Sequence, residues 1–386
     1  MRKFILFLIV LLAGTSYFAY KYRGVIYQYY IIKKGQPEWA HKQIEADFAD
    51  FSGGISQVAL NETFERALKA NIAIYRYRVI GGKIYRKGPG SLPDRVKVFD
   101  KMLKRLNRCI GLPNLDFIVC LMDGVPECYV AQDFWIVDEP SAQAPLLAWA
   151  KKEGAKYVVL IPDVLTTIER LWHRDIEKIN QANRKIPWNQ RIEKAFWRGT
   201  TSDKRYSLEN YSSKPRFRLS HLSQQAPEWI DAGFNSAYSE ELRTFFREIG
   251  VLKGHQTLAE HIRFKYLPVL DGWMCTYPGF QWRLLSGSLT MKQESNEIQY
   301  FYCALKPYVH YLPIQNDMSD VVEKVHWAKE HDAECEQMAV NARQFAMQHL
   351  MPEPIYAYFY AVLERYALLQ RFQLTEEMLV GWEAVH

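Results

Sequence analysis

The 386-residue sequence has no Cys-x-x-Cys pair and no His at zinc-ligand spacing, although cysteines stand at 109, 120, 128, 275, 303 and 335. This excludes the usual structural-zinc and dithiol redox readings. No Asp-x-Asp motif closes a predicted strand, which argues against a design in which two acids hold a divalent cation on a diphosphate. Repeats of fixed period and low-complexity tracts are also missing, so solenoids and long disordered segments are excluded. Nor is charge of one sign concentrated: 49 Lys and Arg face 43 Asp and Glu, a net charge of +6. A dispersed excess of this size suits a nucleotide diphosphate, an anionic membrane surface or nucleic acid, or simply a solvated surface, and no basic stripe or motif for nucleic acid is visible.

Apolar residues make up 48% of the chain and aromatics 14%, enough for a sizeable ordered core. The length exceeds what one core usually reaches, so two lobes are expected. At the start, Arg2 and Lys3 precede Phe4 to Tyr20, an uncharged run of about 17 residues. As a helix it is roughly 25 Å long, near the lower limit for a bilayer. The bulky Ser16-Tyr17-Phe18-Ala19-Tyr20 makes a poor cleavage site, so residues 1–24 read as an uncleaved single-pass membrane anchor rather than a signal peptide. Tyr20, Tyr22, Tyr27, Tyr29 and Tyr30 suit the interfacial belt beyond it. Basic residues on both flanks leave the orientation open.

Beyond the anchor, helical spacing covers Glu38 to Phe51, Asn61 to Ile74 and Pro93 to Arg108, and a Tyr-rich strand pattern over Ile72 to Tyr85 breaks at Gly81-Gly82. Leu115 to Leu121 is a continuous apolar run of the kind found in central parallel strands. It ends at Met122-Asp123-Gly124. Tyr157 to Ile161, closed by Pro162-Asp163, and Tyr266 to Leu270, closed by Asp271-Gly272, repeat that pattern. In open α/β sheets ligands bind beyond the carboxyl ends of strands, so these acids are candidates for function, with helix capping as the plainer reading. The polar stretch Asn180 to Asn189 reads as the lobe boundary, and Ser319 to His331, Glu334 to Leu350 and Pro354 to Phe372 read as helices.

More specific blocks follow in order. Ile186-Pro187-Trp188-Asn189-Gln190 leads into Lys194-Ala195-Phe196-Trp197-Arg198-Gly199-Thr200-Thr201-Ser202. Later come Pro215-Arg216-Phe217-Arg218-Leu219, Lys265-Tyr266-Leu267 before Asp271-Gly272, Leu284-Leu285-Ser286-Gly287-Ser288, Lys292-Gln293-Glu294, and Leu305-Lys306-Pro307-Tyr308. Together with Ile161-Pro162-Asp163, and over roughly residues 110–370, the series resembles glycosyltransferase family 90. That family includes capsule-associated xylosyltransferases, protein O-glucosyltransferases of the endoplasmic reticulum and bacterial enzymes that look like lipopolysaccharide modifiers.

The resemblance implies an α/β, GT-B-like fold of two facing Rossmann-like lobes: residues 25–185 on the acceptor side, 186–350 holding the nucleotide sugar, and 351–386 packing back across both. It implies an inverting transferase that moves a hexose or pentose from a UDP-sugar, the donor substrate, with no metal or other cofactor. Asp123 matches the family's proposed base. Arg198, Gly199, Thr200, Thr201, Ser202, Arg218, Asp271, Gly272, Arg283, Gly287, Ser288, Lys292 and Glu294 are the implied donor-binding set. Arg283 stands later than the Arg that commonly follows the Asp-Gly step, and Gln299 replaces a Glu of endoplasmic reticulum members. The expected acceptor is a hydroxyl of a lipopolysaccharide or capsule-like glycan, at a bacterial inner membrane. The alternatives are protein O-glucosyl or O-xylosyl transfer, with an endoplasmic reticulum or Golgi location, and a catalytically decayed, membrane-tethered glycan-binding protein.

Overall fold

The computed structural model describes residues 26, 28–69, 73–125, 143–201 and 206–386. The run Phe4 to Tyr20 lies outside them, as does Ser202. Among the described residues no helix is long and apolar enough to cross a membrane.

Two main sheets organise a mixed α/β molecule. The first runs β13 (Glu383–Ala384), β2 (Lys83–Lys87), β1 (Ile74–Ile80), β3 (Leu115–Cys120), β4 (Leu146–Ala148) and β6 (Val158–Leu160). Only β3, β4 and β6 pair in parallel; β1 is antiparallel to both β2 and β3. This half therefore departs from the expected Rossmann-like lobe. The two-residue step Gly81-Gly82, with φ of +55° and +76°, closes a hairpin, which only antiparallel strands can use.

The second sheet is wholly parallel, in the order β12 (Leu312–Ile314), β10 (Leu289–Gln293), β9 (Phe264–Val269), β7 (Ile192–Thr200) and β8 (Ile230–Ser236). Counted along the chain this is the doubly wound order 2-1-3-4-5, which reverses between β7 and β9. A ribbon of β5 (Lys151–Lys152) and β11 (Glu297–Ile298) joins the two halves.

Helix Pro93–Ile110 shows how sequence dictates an element. Proline opens it, where its missing N–H costs nothing; Val96, Phe99, Leu103 and Leu106 repeat at helical spacing and are buried; Gly111, at φ +80°, ends it. The helix expected from Asn61 begins earlier, at Gln57–Lys69, and the polar stretch from Asn180 opens in the last turns of helix Glu169–Lys185.

One face of the second sheet, with Ala195, Trp197, Ala232 and Met291, forms its own core. The opposite face contributes Phe196, Leu267 and Val269 to a core that continues through Phe117, Leu146 and Phe359 of the first half. The two halves thus share one apolar interior. Helix Pro352–Leu369 belongs to that shared core, and Arg78 stacks on Trp382, 4.2 Å from the ring centroid.

Candidate active site

The reversal of strand order opens a crevice at the carboxyl ends of β7 and β9, the place where doubly wound sheets bind ligands. Arg216, in the first turn of helix Pro215–Gln225, fills the base of this crevice. Its guanidinium donates to the carbonyls of Thr200 (2.8 Å), Leu270 (3.1 Å) and Asp271 (2.9 Å), so one buried cation ties both strand ends together. Arg218, expected in the donor site, lies exposed on the same helix and donates to the carbonyl of Ser212.

Arg283 approaches from helix Gly279–Leu285. It reaches back one turn, where Nη1 donates to the carbonyl of Gly279 at 2.9 Å, and stacks 4.2 Å from the Trp282 ring. Among the described residues no carboxylate pairs with it, and its Nε is buried without a partner. Burial, with Arg216 nearby, pulls it down to about 9. A buried guanidinium without a counter-charge is a site that an anion would complete. Arg198 differs: Nη2 pairs with Asp231 of β8 at 2.7 Å, although its Nε is also orphaned. Buried His261 is electrostatically coupled to both Arg198 and Arg283, packs edge-on against Phe196 and Trp282, and is pulled down to about 4 chiefly by burial.

Around this centre, burial raises the Asp271 carboxyl while Lys292, Ser295 and Arg216 pull it the other way. Lys292 lies 4.8 Å from the Tyr302 ring centroid, and Glu294 is exposed just past β10. Gly272 donates to the carbonyl of Met274 within the same loop. Thr200 is exposed at the strand end; Thr201 is buried and its Oγ1 accepts from the Tyr238 amide. Gly199 has Trp197 where a Cβ would stand.

Gly287 and Ser288, also expected in the donor set, stand apart from these residues. They precede β10, at its amino end, where Ser288 Oγ accepts from Arg191 at 2.6 Å and donates to the carbonyl of Phe264 at the start of β9. In a parallel sheet that is the edge opposite the crevice. These two residues make the turn that returns the chain into the sheet.

Asp123 lies on the facing side of the crevice, just beyond β3. Its carboxylate, 28% exposed, accepts from Arg95 Nη2 at 2.7 Å, and Arg95 also donates to the carbonyl of Leu121 while stacking 5.1 Å from the Trp149 ring centroid. Tyr277, from the loop after Asp271-Gly272, donates its hydroxyl to the backbone carbonyl of Asp123. A Cβ at Gly124 would sit 3.0 Å from Met274 of that loop. The two loops are therefore in direct contact. Deeper in the interface buried Asp163, raised to about 6 by burial, accepts from Gln281, which also donates to Gln299; Gln299 donates in turn to the Tyr302 hydroxyl.

Among the described residues no group of three His, Cys, Asp or Glu side chains could hold a metal ion. Sequence reading did not single out Arg216, Arg95, His261 or Tyr277. Burial of Arg216 was legible in its helical register, two residues from the exposed Arg218; the other three become significant only through contacts distant in sequence.

Parallel strands that reverse order beside buried guanidiniums, with a carboxylate on the facing loop, define an α/β protein of doubly wound type in its second half. The family model described as Glycosyl transferase family 90 matches residues 35–380, and the chain belongs to that family. It is 31% identical over 350 residues to human protein O-glucosyltransferase 3, covering 89% of this chain and 64% of the relative. Protein O-glucosyltransferase 2 of Danio rerio is 27% identical over 338 residues, covering 85% and 62%. The chain thus spans less than two thirds of the length of these relatives. A solved structure of Anabaena HepE in complex with UDP-glucose aligns with 49% of this chain and 53% of that one, at 11% identity and a TM-score of 0.34, too loose a likeness to bear on the fold.

Proposed function

We propose that this chain is an inverting glycosyltransferase that moves a hexose or pentose from a UDP-sugar to a hydroxyl of a protein acceptor, with its two sheets facing each other as a GT-B pair. The observation that carries the reading is Arg283, buried at a strand-order reversal with no carboxylate partner among the described residues, with the Asp123 loop held against the neighbouring loop by Tyr277. Asp123 takes the proton from the acceptor hydroxyl as its oxygen attacks the anomeric carbon. The bond from that carbon to the diphosphate oxygen breaks, and UDP leaves with the extra negative charge. Fixed guanidinium groups stabilise such charge without reorganising, and that role falls to Arg283 in this reading. Arg95 orients the Asp123 carboxylate.

The names of the relatives, all protein O-glucosyltransferases, favour a protein hydroxyl over the lipopolysaccharide or capsule glycan that the anchor suggested. Two substitutions assayed with UDP-glucose test the reading. Asp123→Asn should leave UDP binding unchanged and lower transfer by roughly 10²–10⁴. Arg283→Ala should weaken UDP binding by roughly 1.5–3 kcal/mol. Full transfer by the first variant, or unaltered UDP affinity in the second, refutes the corresponding role.

A further inference from the structure

Helix Pro93–Ile110 carries Lys97, Lys101, Lys104 and Arg108 at steps of four, three and four, a spacing that puts all four side chains on one face. The face opposite is buried in the shared core. Lys97, Lys101 and Arg108 are exposed. Among the described residues no carboxylate lies within ion-pair distance of Lys101 or Arg108, and Lys97 meets only Asp94, 3.9 Å away in open solvent. Lys101, Lys104 and Arg108, with Lys83 and Arg105, line a groove of 1580 Å³ whose one acidic side chain is Glu353; half-buried Lys104 also donates to the backbone oxygen of His386 there. This stripe was not visible in the composition, because acids elsewhere balance it.

What lies beside the groove indicates a partner. Residues 28–34 are helical, and Gln28 is fixed there: it accepts from Arg105 at 3.3 Å and donates to the carbonyl of Glu353 at 2.9 Å. Gln28 is eight residues from Tyr20, the end of the uncharged run, a reach of at most about 28 Å. Tyr29 and Tyr30, 47% and 60% exposed, are side chains of the kind that settle at headgroup level.

We propose that this basic face lies against the negatively charged phospholipid headgroups of a bilayer and so fixes the catalytic body's orientation on the membrane. Basic side chains are attracted to such a surface when they come within a Debye length, about 8 Å at physiological salt. Duplex nucleic acid would be matched by the charge alone; exposed Tyr29 and Tyr30, and an uncharged run that ends eight residues before Gln28 in the sequence, match a bilayer.

The test uses the full chain reconstituted into vesicles of phosphatidylcholine, with or without about one third phosphatidylserine, and follows lysine acylation by mass spectrometry. Exposed Lys253 and Lys329, on the second half, serve as references. Acylation of Lys97, Lys101 and Lys104 should slow at least threefold in the anionic vesicles only, recover in half-molar salt, and leave the references unchanged. In a Lys101→Gln, Arg108→Gln double variant the protection of Lys97 and Lys104 should be largely lost. Equal rates in the two vesicle types, uniform slowing at every lysine, full protection in the double variant, or equal slowing by a short DNA duplex without vesicles would each overturn the proposal.

Discussion

Arg216 and Arg218 are two residues apart on one helix, so roughly 200° of rotation separates their side chains. Only one of them can face the sheet. Burial of Leu219 and Ser220 selects Arg216, which takes three strand-end carbonyls. His261 shows what burial does to a titratable group here: desolvation is the main cause that lowers it, and the neighbouring Arg283 and Arg198 add to the effect. Its folded-state value near 4 lies below the ordinary 6.5. Between those values the unfolded chain binds a proton that the folded protein does not, so stability is lost as pH falls from about 6.5 to 4. The loss should approach roughly 3 kcal/mol. Thermal unfolding from pH 7.5 to 4.5 checks this, and a His261→Gln variant should show a shallower slope over that window.

Among the elements, the turn entering β10 separates structural from functional residues in a block that sequence alone treats as one. Gly287 has φ +68°, and an added Cβ would come within 3.2 Å of Asn183 Oδ1 and 3.4 Å of Arg191 Nη2. Gly287→Ala should therefore destabilise the protein by roughly 1–2 kcal/mol, the cost of a left-handed conformation for a residue with a Cβ. UDP affinity at permissive temperature should be unchanged; a selective loss of donor binding without loss of stability would return Gly287 to the site. Helix Gly279–Leu285 shows the converse. The Arg that follows Asp271-Gly272 later than expected still reaches the helix start, because a long side chain in a helix points back toward its N-terminus and here meets Gly279.

For the whole molecule, Arg283, Arg216 and Lys292 gather around the loop after β9, and the proposed mechanism draws its positive charge from them. Transfer from UDP-glucose should therefore survive EDTA, and activity lost on chelation and restored by manganese would contradict the proposed mechanism. The apolar run Leu115 to Leu121, the β-branched run before Asp163 and the Asp271-Gly272 step were readable without coordinates, because burial on both faces leaves a strand few residue types to choose from. So was the ordered series of family blocks. The sequence by itself determined an α/β chain of this family with acids at strand ends. Only tertiary structure decided that β1 and β2 make the first sheet mixed, that Ser288 belongs to the far edge, that Arg198 is paired with Asp231 while Arg283 has no counter-charge among the described residues, and that Tyr277 holds the Asp123 loop. These depend on contacts between residues tens to hundreds of positions apart, which neither periodicity nor spacing encodes.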